Sequence, residues 1–247
     1  MRAALIPPRG YERTVLMSDI HLVLPLPGLV DNPEYIRTYE EARTAGHYII
    51  LDNGCAEGSL VSEEFLLEFA RKIRPHEIVA PDALDMGAHT YNLTVAFLRD
   101  YPEAQDYNIM AVLQGETFAE RKIYLEEYAG MDAITTIGIP KIQVRTEGSD
   151  ARIKTARFIE KRYPGRFKIH LLGLNRRFPT EMLDLPWGTT AVRSMDSAQP
   201  YKITETGRMM TARQNWGERR SDYFERKEVV NTALLRHNID EFKKWAA

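Results

Sequence analysis

The sequence has almost no cysteine. Cys55 is the single cysteine among 247 residues, so no disulfide can form within the chain. Six histidines are present, but none lies with a cysteine at zinc-finger spacing. The composition indicates a reducing compartment, and we expect the folded protein to contain no zinc and no other cofactor.

Long apolar runs and a strong excess of one charge are also missing. No stretch approaches the roughly 20 apolar residues that cross a bilayer, and the first apolar run is too short for a signal peptide. We therefore expect a cytoplasmic protein without a membrane partner. The formal net charge of −2 excludes a globally basic nucleic-acid binder and leaves only a local basic patch.

What the sequence does contain is a regular alternation of short apolar strands and amphipathic helices. With 44% apolar residues, the chain can form one core in a single domain over residues 1–247. Strands are predicted at 3–7, 14–24, 48–52, 77–82, 108–114, 132–139, 167–174 and 189–192, the last leading to Asp196. Helices are predicted at 32–45, 63–73, 88–98, 117–128, 150–162 and 227–245, with a short segment at 180–185. This order predicts a (β/α)₈ barrel, and an open doubly wound sheet is the alternative.

Four of the predicted strands lead into an acid or an amide. These residues are Asp52, Asp82, Gln114 and Asp196. In a parallel barrel the carboxyl ends of the strands converge on one mouth, so we expect the four side chains to lie together. Each could instead cap a helix or hold a loop. Metal binding by the three aspartates is a further interpretation, although hard cations usually draw on more clustered oxygen ligands.

Carboxylates at one mouth suit chemistry at a glycosidic carbon. The transition state is oxocarbenium-like, and one carboxylate can trap the sugar as an ester while a second handles the proton of the leaving group. Asp196 is the candidate nucleophile. From the residues alone, a sugar hydrolase is one possible function.

Seven short segments, in the same order along the chain, resemble the guanine transglycosylase family of barrel enzymes. Residues 20–28 resemble that family's Tyr-His-Leu-Met-Leu segment with its Pro-Gly end, 51–54 its Thr-Asp-Ser-Gly-Gly, 81–82 its Phe-Asp-Glu, 112–115 its Val-Gln-Gly-Gly, 137–139 its Ile-Gly-Gly-Leu, 172–174 its Met-Gly-Val-Gly and 195–196 its Met-Phe-Asp-Cys. The family exchanges guanine in a nucleic acid for a 7-deazaguanine base.

The resemblance assigns roles to individual residues. It implies that Asp196 is the nucleophile and that Asp52 is the general acid and base beside the exchanging purine. The residues it implies for base binding are Asn53, Asp82, Gln114, Gly115, Gly138, Ile139 and Leu172. A guanine edge offers N–H donors that suit a carboxylate and an O6 acceptor that suits an amide or backbone N–H, so these residue types fit the task.

The departures from the family indicate a different nucleic-acid partner. The tRNA-acting members carry a zinc site of three cysteines and a histidine after the nucleophile, whereas this chain has no cysteine after Cys55. Ala56 stands where the family usually has an aromatic residue that stacks on the base. The chain is thus most similar to the zinc-less DNA-acting branch, often encoded by bacteriophages, which would place it in the host cytoplasm. A tRNA-acting enzyme and a noncatalytic partner subunit are the alternatives, and the presence of both Asp52 and Asp196 speaks against the second.

Two arginine-rich stretches with neighbouring aromatic residues are candidates for backbone binding. They contain Arg176 and Arg177, and Arg213 and Arg219, respectively. Such mixtures hold phosphates and stack on exposed bases, although an ordinary solvated surface has the same composition. Because the reacting bond is enclosed in a duplex, we expect the substrate to be single-stranded or its nucleotide to be flipped out.

Overall fold

Eight parallel strands form a closed barrel in which each strand pairs with the next and the last pairs with the first. The structure is a computed structural model that describes residues 1–58, 61–148, 150–174, 191–211, 223–224 and 231–246. The strands are β1 (Arg2–Leu5), β2 (Ile20–Val23), β3 (Tyr48–Leu51), β4 (Glu77–Val79), β5 (Asn108–Val112), β6 (Ile134–Pro140), β7 (Lys168–Leu172) and β8 (Val192–Ser197). The predicted (β/α)₈ fold is confirmed, and closure rules out the open sheet.

Helices surround the barrel, and three of them begin where the sequence predicts. The helices within the described ranges are α1 (Pro33–Thr44), α2 (Glu63–Ile73), α3 (Gly87–Asp100), α4 (Phe118–Ala129), α5 (Ile142–Glu147), α6 (Ala151–Arg162), α7 (Gln199–Glu205) and α8 (Thr232–Ala246). The side chains of Asn32, Ser62 and Thr117 accept hydrogen bonds from backbone N–H groups in the first turns of α1, α2 and α4. These caps satisfy N–H groups that have no partner within the helix. None of the described helices has the length and apolar character needed to cross a bilayer.

The prediction of one strand over 14–24 was wrong in its first half. Residues Glu12–Met17 form a 3₁₀ helix, and β2 begins only at Ile20. The backbone N–H of Thr14 bonds to Tyr11 O and that of Ser18 bonds to Val15 O, so local bonds replace a strand ladder. The apolar run there buries Val15 without extended backbone, a case in which packing overrides β propensity.

Other boundaries also differ from the prediction. The short helices α5 and α7 were not predicted, and β8 continues through Asp196 instead of ending before it. The predicted segment 180–185 lies outside the described residues, as do 189–190 and the greater part of 227–231.

Apolar side chains fill the inside of the barrel below its mouth. One cluster inside the barrel comprises Ala4, Ile20, Leu22, Ile50, Val79, Met110 and Val112. A larger cluster packs the strands against the helices. At Gly138 a Cβ would lie 2.9 Å from Leu172 Cδ1 and 3.0 Å from Met110 Sδ. Only glycine therefore fits here without displacing these two core side chains.

A buried ion pair lies at the amino-terminal end of the barrel. Arg193 makes two hydrogen bonds of 2.8 Å to the carboxylate of Glu77. Thr136 Oγ1 and Tyr48 OH donate to the same carboxylate at 2.8 and 3.0 Å. Glu77 is fully buried and the Arg193 side chain is 12% exposed, so each charge depends on its partner.

Replacing Arg193 with methionine should therefore destabilise the protein strongly. The change leaves the Glu77 carboxylate buried without its cation, a loss that typically costs about 3–5 kcal/mol. Urea unfolding of Arg193→Met should show a lower midpoint with an unchanged slope. As a matched control, Lys72→Met removes an exposed pair with Glu68 and should cost less than about 1 kcal/mol. Equal effects of the two substitutions would contradict this account of the buried pair.

Candidate active site

A cavity of about 400 Å³ opens at the carboxyl ends of the strands. It brings together six of the residues predicted for the site, and these are Asp52, Asn53, Asp82, Gln114, Leu172 and Asp196. They come from five different strands or the turns that follow them. The position is the one at which barrel enzymes place their reactive groups, and the volume is in the range of small-molecule sites.

Asp196 is held at the end of β8 by two N–H groups. Its Oδ1 accepts a hydrogen bond of 2.8 Å from the backbone N–H of Gly173 and lies 3.1 Å from His170 Nε2. Oδ2 has no hydrogen-bond partner among the residues that the structure describes, while the residue lines the cavity. One oxygen is thus anchored, and the residue contributes to the lining of the cavity.

Asp52 follows β3 and lies in a different environment. The backbone N–H of Asn53 donates to its Oδ1 at 2.9 Å. Burial raises the pKa of Asp52 well above its ordinary value, and the nearby charges of Glu57 and then Asp196 raise it further. The protonated form of Asp52 is therefore favoured, so this group can donate a proton inside the cavity.

Asp82 is the centre of a hydrogen-bonded cluster. Gln114 Nε2 donates to its Oδ2 at 2.7 Å, and Asn53 Nδ2 donates to its Oδ1 at 2.8 Å. The thiol of Cys55 also bonds to Asp82, and burial followed by this carboxylate raises the pKa of Cys55 to about 12. Burial raises the pKa of Asp82, although the hydrogen bonds from Gln114, Asn53 and Cys55 oppose that shift. The cluster fixes the orientation of the Asp82 carboxylate.

Three residues proposed for base binding do not line the cavity. The carbonyl of Gly115 accepts a hydrogen bond from Arg121, and that of Gly138 accepts one from the backbone N–H of Leu113. Ile139 is fully buried in the core between strands and helices. The end of β6 instead presents Pro140, Lys141 and Ile142 to the cavity. Arg176, Arg177, Arg213 and Arg219 lie outside the described residues.

Sequence reasoning missed His170, which contacts Asp196 directly. The alternation of side chains along β7 could have revealed it. Residues two positions apart share one face of a strand, so His170 lies on the same side as Leu172, which was predicted for the site. Glu57, Lys141 and Lys202 also line the cavity and were not proposed as site residues.

The geometry provides two carboxyl groups suited to different tasks. Asp196 has one oxygen anchored by the backbone N–H of Gly173, and the raised pKa of Asp52 favours the protonated form of that carboxyl group. A nucleophile and a general acid in one cavity are the pair needed to break a glycosidic bond. Among the described residues, no group of three histidine, cysteine or carboxylate side chains is arranged to hold a metal ion.

Comparison of the chain with known proteins gave no match, either to a protein-family model or to a curated protein.

Proposed function

We propose that the protein is a guanine transglycosylase that exchanges guanine in DNA for a 7-deazaguanine base through a covalent glycosyl-aspartate. The observation that carries the proposal is the pair of carboxyl groups in one cavity: Asp196 with Oδ1 held by Gly173 and His170, and Asp52 with a raised pKa. The seven sequence segments that resemble the family support it. Most of them contain residues that line this cavity, and residues 137–139 directly precede the lining residue Pro140.

Asp82 and Gln114 are suited to hold the purine. The fixed carboxylate of Asp82 can accept from the N1–H and 2-amino groups of guanine, which are donors on one edge. Gln114 Nε2 uses one hydrogen on Asp82, and its second hydrogen can donate to O6. Its Oε1 accepts from the backbone N–H of Asp85 at 3.3 Å, so both ends of the amide are held by neighbouring groups.

The first half of the exchange breaks the bond between the sugar and guanine. Asp196 Oδ2 attacks C1′, the C1′–N9 bond breaks, and its electron pair passes to the purine. Asp52 donates its proton to the departing guanine, so guanine leaves as a neutral base. The product on the enzyme is an ester between C1′ and Asp196.

The second half reverses these steps with the incoming base. N9 of the 7-deazaguanine attacks C1′, the ester bond breaks, and Asp196 regains its charge. Asp52, now ionised, takes the proton from N9 and is restored to its starting form. Two inversions at C1′ leave the configuration of the sugar unchanged.

DNA is favoured over tRNA because the chain lacks the cysteines of the tRNA-associated zinc module. The experiment that tests the function is release of labelled guanine from DNA and from tRNA, run in parallel with a panel of 7-deazaguanines. We expect release from DNA that continues beyond one guanine per enzyme only when a 7-deazaguanine is added. Release from tRNA alone would favour the alternative substrate, and release from neither would refute the proposal.

The arginine-rich stretches provide a separate test of DNA binding. If Arg176, Arg177, Arg213 and Arg219 bind phosphates, replacing either pair with glutamine should weaken binding about equally across sequences. In a plot of log affinity against log salt concentration the slope is negative. Its magnitude should decrease by about one for each phosphate that the variant no longer neutralises.

The matched control for these variants is Asp82→Asn. This change should damage the selection of guanine while leaving the salt slope unchanged, because Asp82 lines the cavity and is assigned to the base. Arginine variants with an unaltered salt slope would exclude these stretches as the phosphate-binding surface.

A further inference from the structure

The imidazole of His170 connects the candidate nucleophile to the ion pair at the amino-terminal end of the barrel. His170 Nε2 lies 3.1 Å from Asp196 Oδ1, and His170 Nδ1 lies 2.8 Å from Ser194 Oγ. Arg193 Nε donates to the same Ser194 oxygen at 3.2 Å, and the Arg193 guanidinium is held by Glu77. His170, Ser194 and Glu77 are fully buried.

We propose that His170 is a positioning residue that holds Asp196 in a single orientation, with Oδ1 anchored and Oδ2 directed to the reacting carbon. The catalytic consequence rests on the proposed function, whereas the orientation and the position of the proton can be tested without it.

An irregular register brings consecutive residues of β8 into this chain of hydrogen bonds. Ile169 pairs with Val192, but His170 pairs with Ser194, so Arg193 is an extra residue opposite β7. Arg193 and Ser194 therefore both reach the interior network, although alternate residues of a regular strand point to opposite faces. Such bulges re-aim side chains next to active sites, and here the bulge places Ser194 beside His170.

The donors in this chain fix the proton of His170. Arg193 Nε–H can only donate, so Ser194 Oγ accepts from it and has its own hydrogen to give. The neighbouring acceptor is His170 Nδ1, which leaves Nε2 to carry the proton that is donated to Asp196. If Nδ1 were also protonated, the hydroxyl hydrogen of Ser194 would have no acceptor among the described residues. The neutral imidazole with its proton on Nε2 thus satisfies every group in the chain.

The combination of serine, histidine and aspartate does not form a hydrolytic triad. Ser194 is fully buried and does not line the cavity, so its hydroxyl cannot reach a substrate. Its role is confined to setting the proton on His170. In this arrangement the aspartate lines the cavity and the serine does not, the reverse of what a serine nucleophile requires.

The expected effect of His170 is on the rate of ester formation. An anchored carboxylate is already close to the geometry of attack, whereas a carboxylate free to rotate is displaced from it, and small misplacements typically cost about 10²-fold in rate. His170→Leu should therefore lower kcat by about 10²-fold with little change in KM for DNA or for the base. A purely structural role would change stability and substrate binding as well.

A conservative variant separates positioning from packing. Glutamine can place an amide N–H near the position of Nε2, so His170→Gln should recover a large part of the rate that His170→Leu loses. The matched control is His21→Leu, which removes another fully buried imidazole, one bonded to His47 at 2.9 Å and not part of the cavity lining. This control should keep the wild-type kcat in the folded fraction. Equal rates for wild type and His170→Leu, or an equal loss in the His21→Leu control, would overturn the proposal.

A second measurement does not depend on catalysis. Nitrogen-15 NMR of the free wild-type protein, with His170 assigned by comparison with His170→Gln, reports which ring nitrogen carries hydrogen. We expect hydrogen on Nε2 and a bare Nδ1. Hydrogen on Nδ1 would overturn the assignment, whereas the expected tautomer in a protein without guanine exchange would refute only the proposed function.

Discussion

Asp196→Asn is expected to abolish base exchange, with a loss of at least about 10³-fold in kcat. The amide is a far poorer nucleophile than the carboxylate, so the ester to C1′ cannot form. The asparagine oxygen can still accept from Gly173 and His170, and the fold should therefore be unaffected. Release of labelled guanine from DNA is the measurement, with a thermal unfolding curve to show that the variant is folded.

The matched control for this substitution is Asp85→Asn. Asp85 also lines the cavity, but its side chain has no role in the proposed chemistry. Exchange at the wild-type rate by Asp196→Asn would end the assignment of the nucleophile. A loss in Asp85→Asn as large as that in Asp196→Asn would indicate that the cavity tolerates no change of charge, and would leave Asp196 without a distinct role.

Asp52→Asn should remove most of the activity and at the same time stabilise the protein. Loss of the general acid and base typically costs about 10²–10⁴-fold in rate. The stabilisation follows from burial, which raises the pKa of Asp52 in the folded state well above its ordinary value. Ionising this group in the folded protein therefore costs free energy, and asparagine avoids that cost while its oxygen can still accept from the Asn53 N–H.

The pH dependence of this stabilisation has a definite sign. Below the unfolded-state pKa, about 3.9, Asp52 is protonated in both the folded and the unfolded state. Its ionisation then contributes no difference in stability between the wild type and Asp52→Asn. As the pH rises from there towards the folded-state pKa, the wild type loses stability and the variant does not. At pH 7 we expect the variant to have the higher Tm, and each kcal/mol of added stability corresponds to about 2–4 °C at this chain length.

Thermal unfolding of both proteins between pH 4 and pH 7 measures the difference. The gap should open as the pH rises. A variant that is less stable than the wild type at pH 7, or a gap that closes with rising pH, would contradict the inferred environment of Asp52. Such a trade of stability for activity is common at active sites. The reactive groups are held in surroundings that favour the reaction but lower the stability of the folded protein.

The sequence was sufficient to predict the barrel and the groups at its mouth. The strand ends at Asp52, Asp82 and Gln114 could be found because a parallel strand buried on both faces is a short apolar run, and the polar residue that follows it stands out. Asp196 comes four residues after the run that ends at Val192, and the resemblance to the family assigned its role. Closure of the barrel then brings these positions together without any further information. The helix starts at Asn32, Ser62 and Thr117 were predictable because capping is a local interaction.

The side-chain partners that orient the site were not predictable in the same way. His170 lies inside an apolar strand, where a histidine is most simply interpreted as part of the core. Its link to Asp196 depends on a register shift between β7 and β8 that no local pattern reveals. The pair of Glu77 and Arg193 joins residues 116 positions apart in the chain. Gly138 and Ile139 were proposed for the base by resemblance, whereas the cavity is lined by the residues that follow them.

The most direct test of the central claim is to locate the covalent intermediate. The enzyme would be incubated with DNA in the absence of an incoming base, quenched in acid, digested with protease and nuclease, and analysed by tandem mass spectrometry. We predict one modified peptide that carries a deoxyribose nucleotide without its base, attached to Asp196 and absent from Asp196→Asn. Attachment to any other residue, or guanine exchange without any modified peptide, would contradict the proposed mechanism.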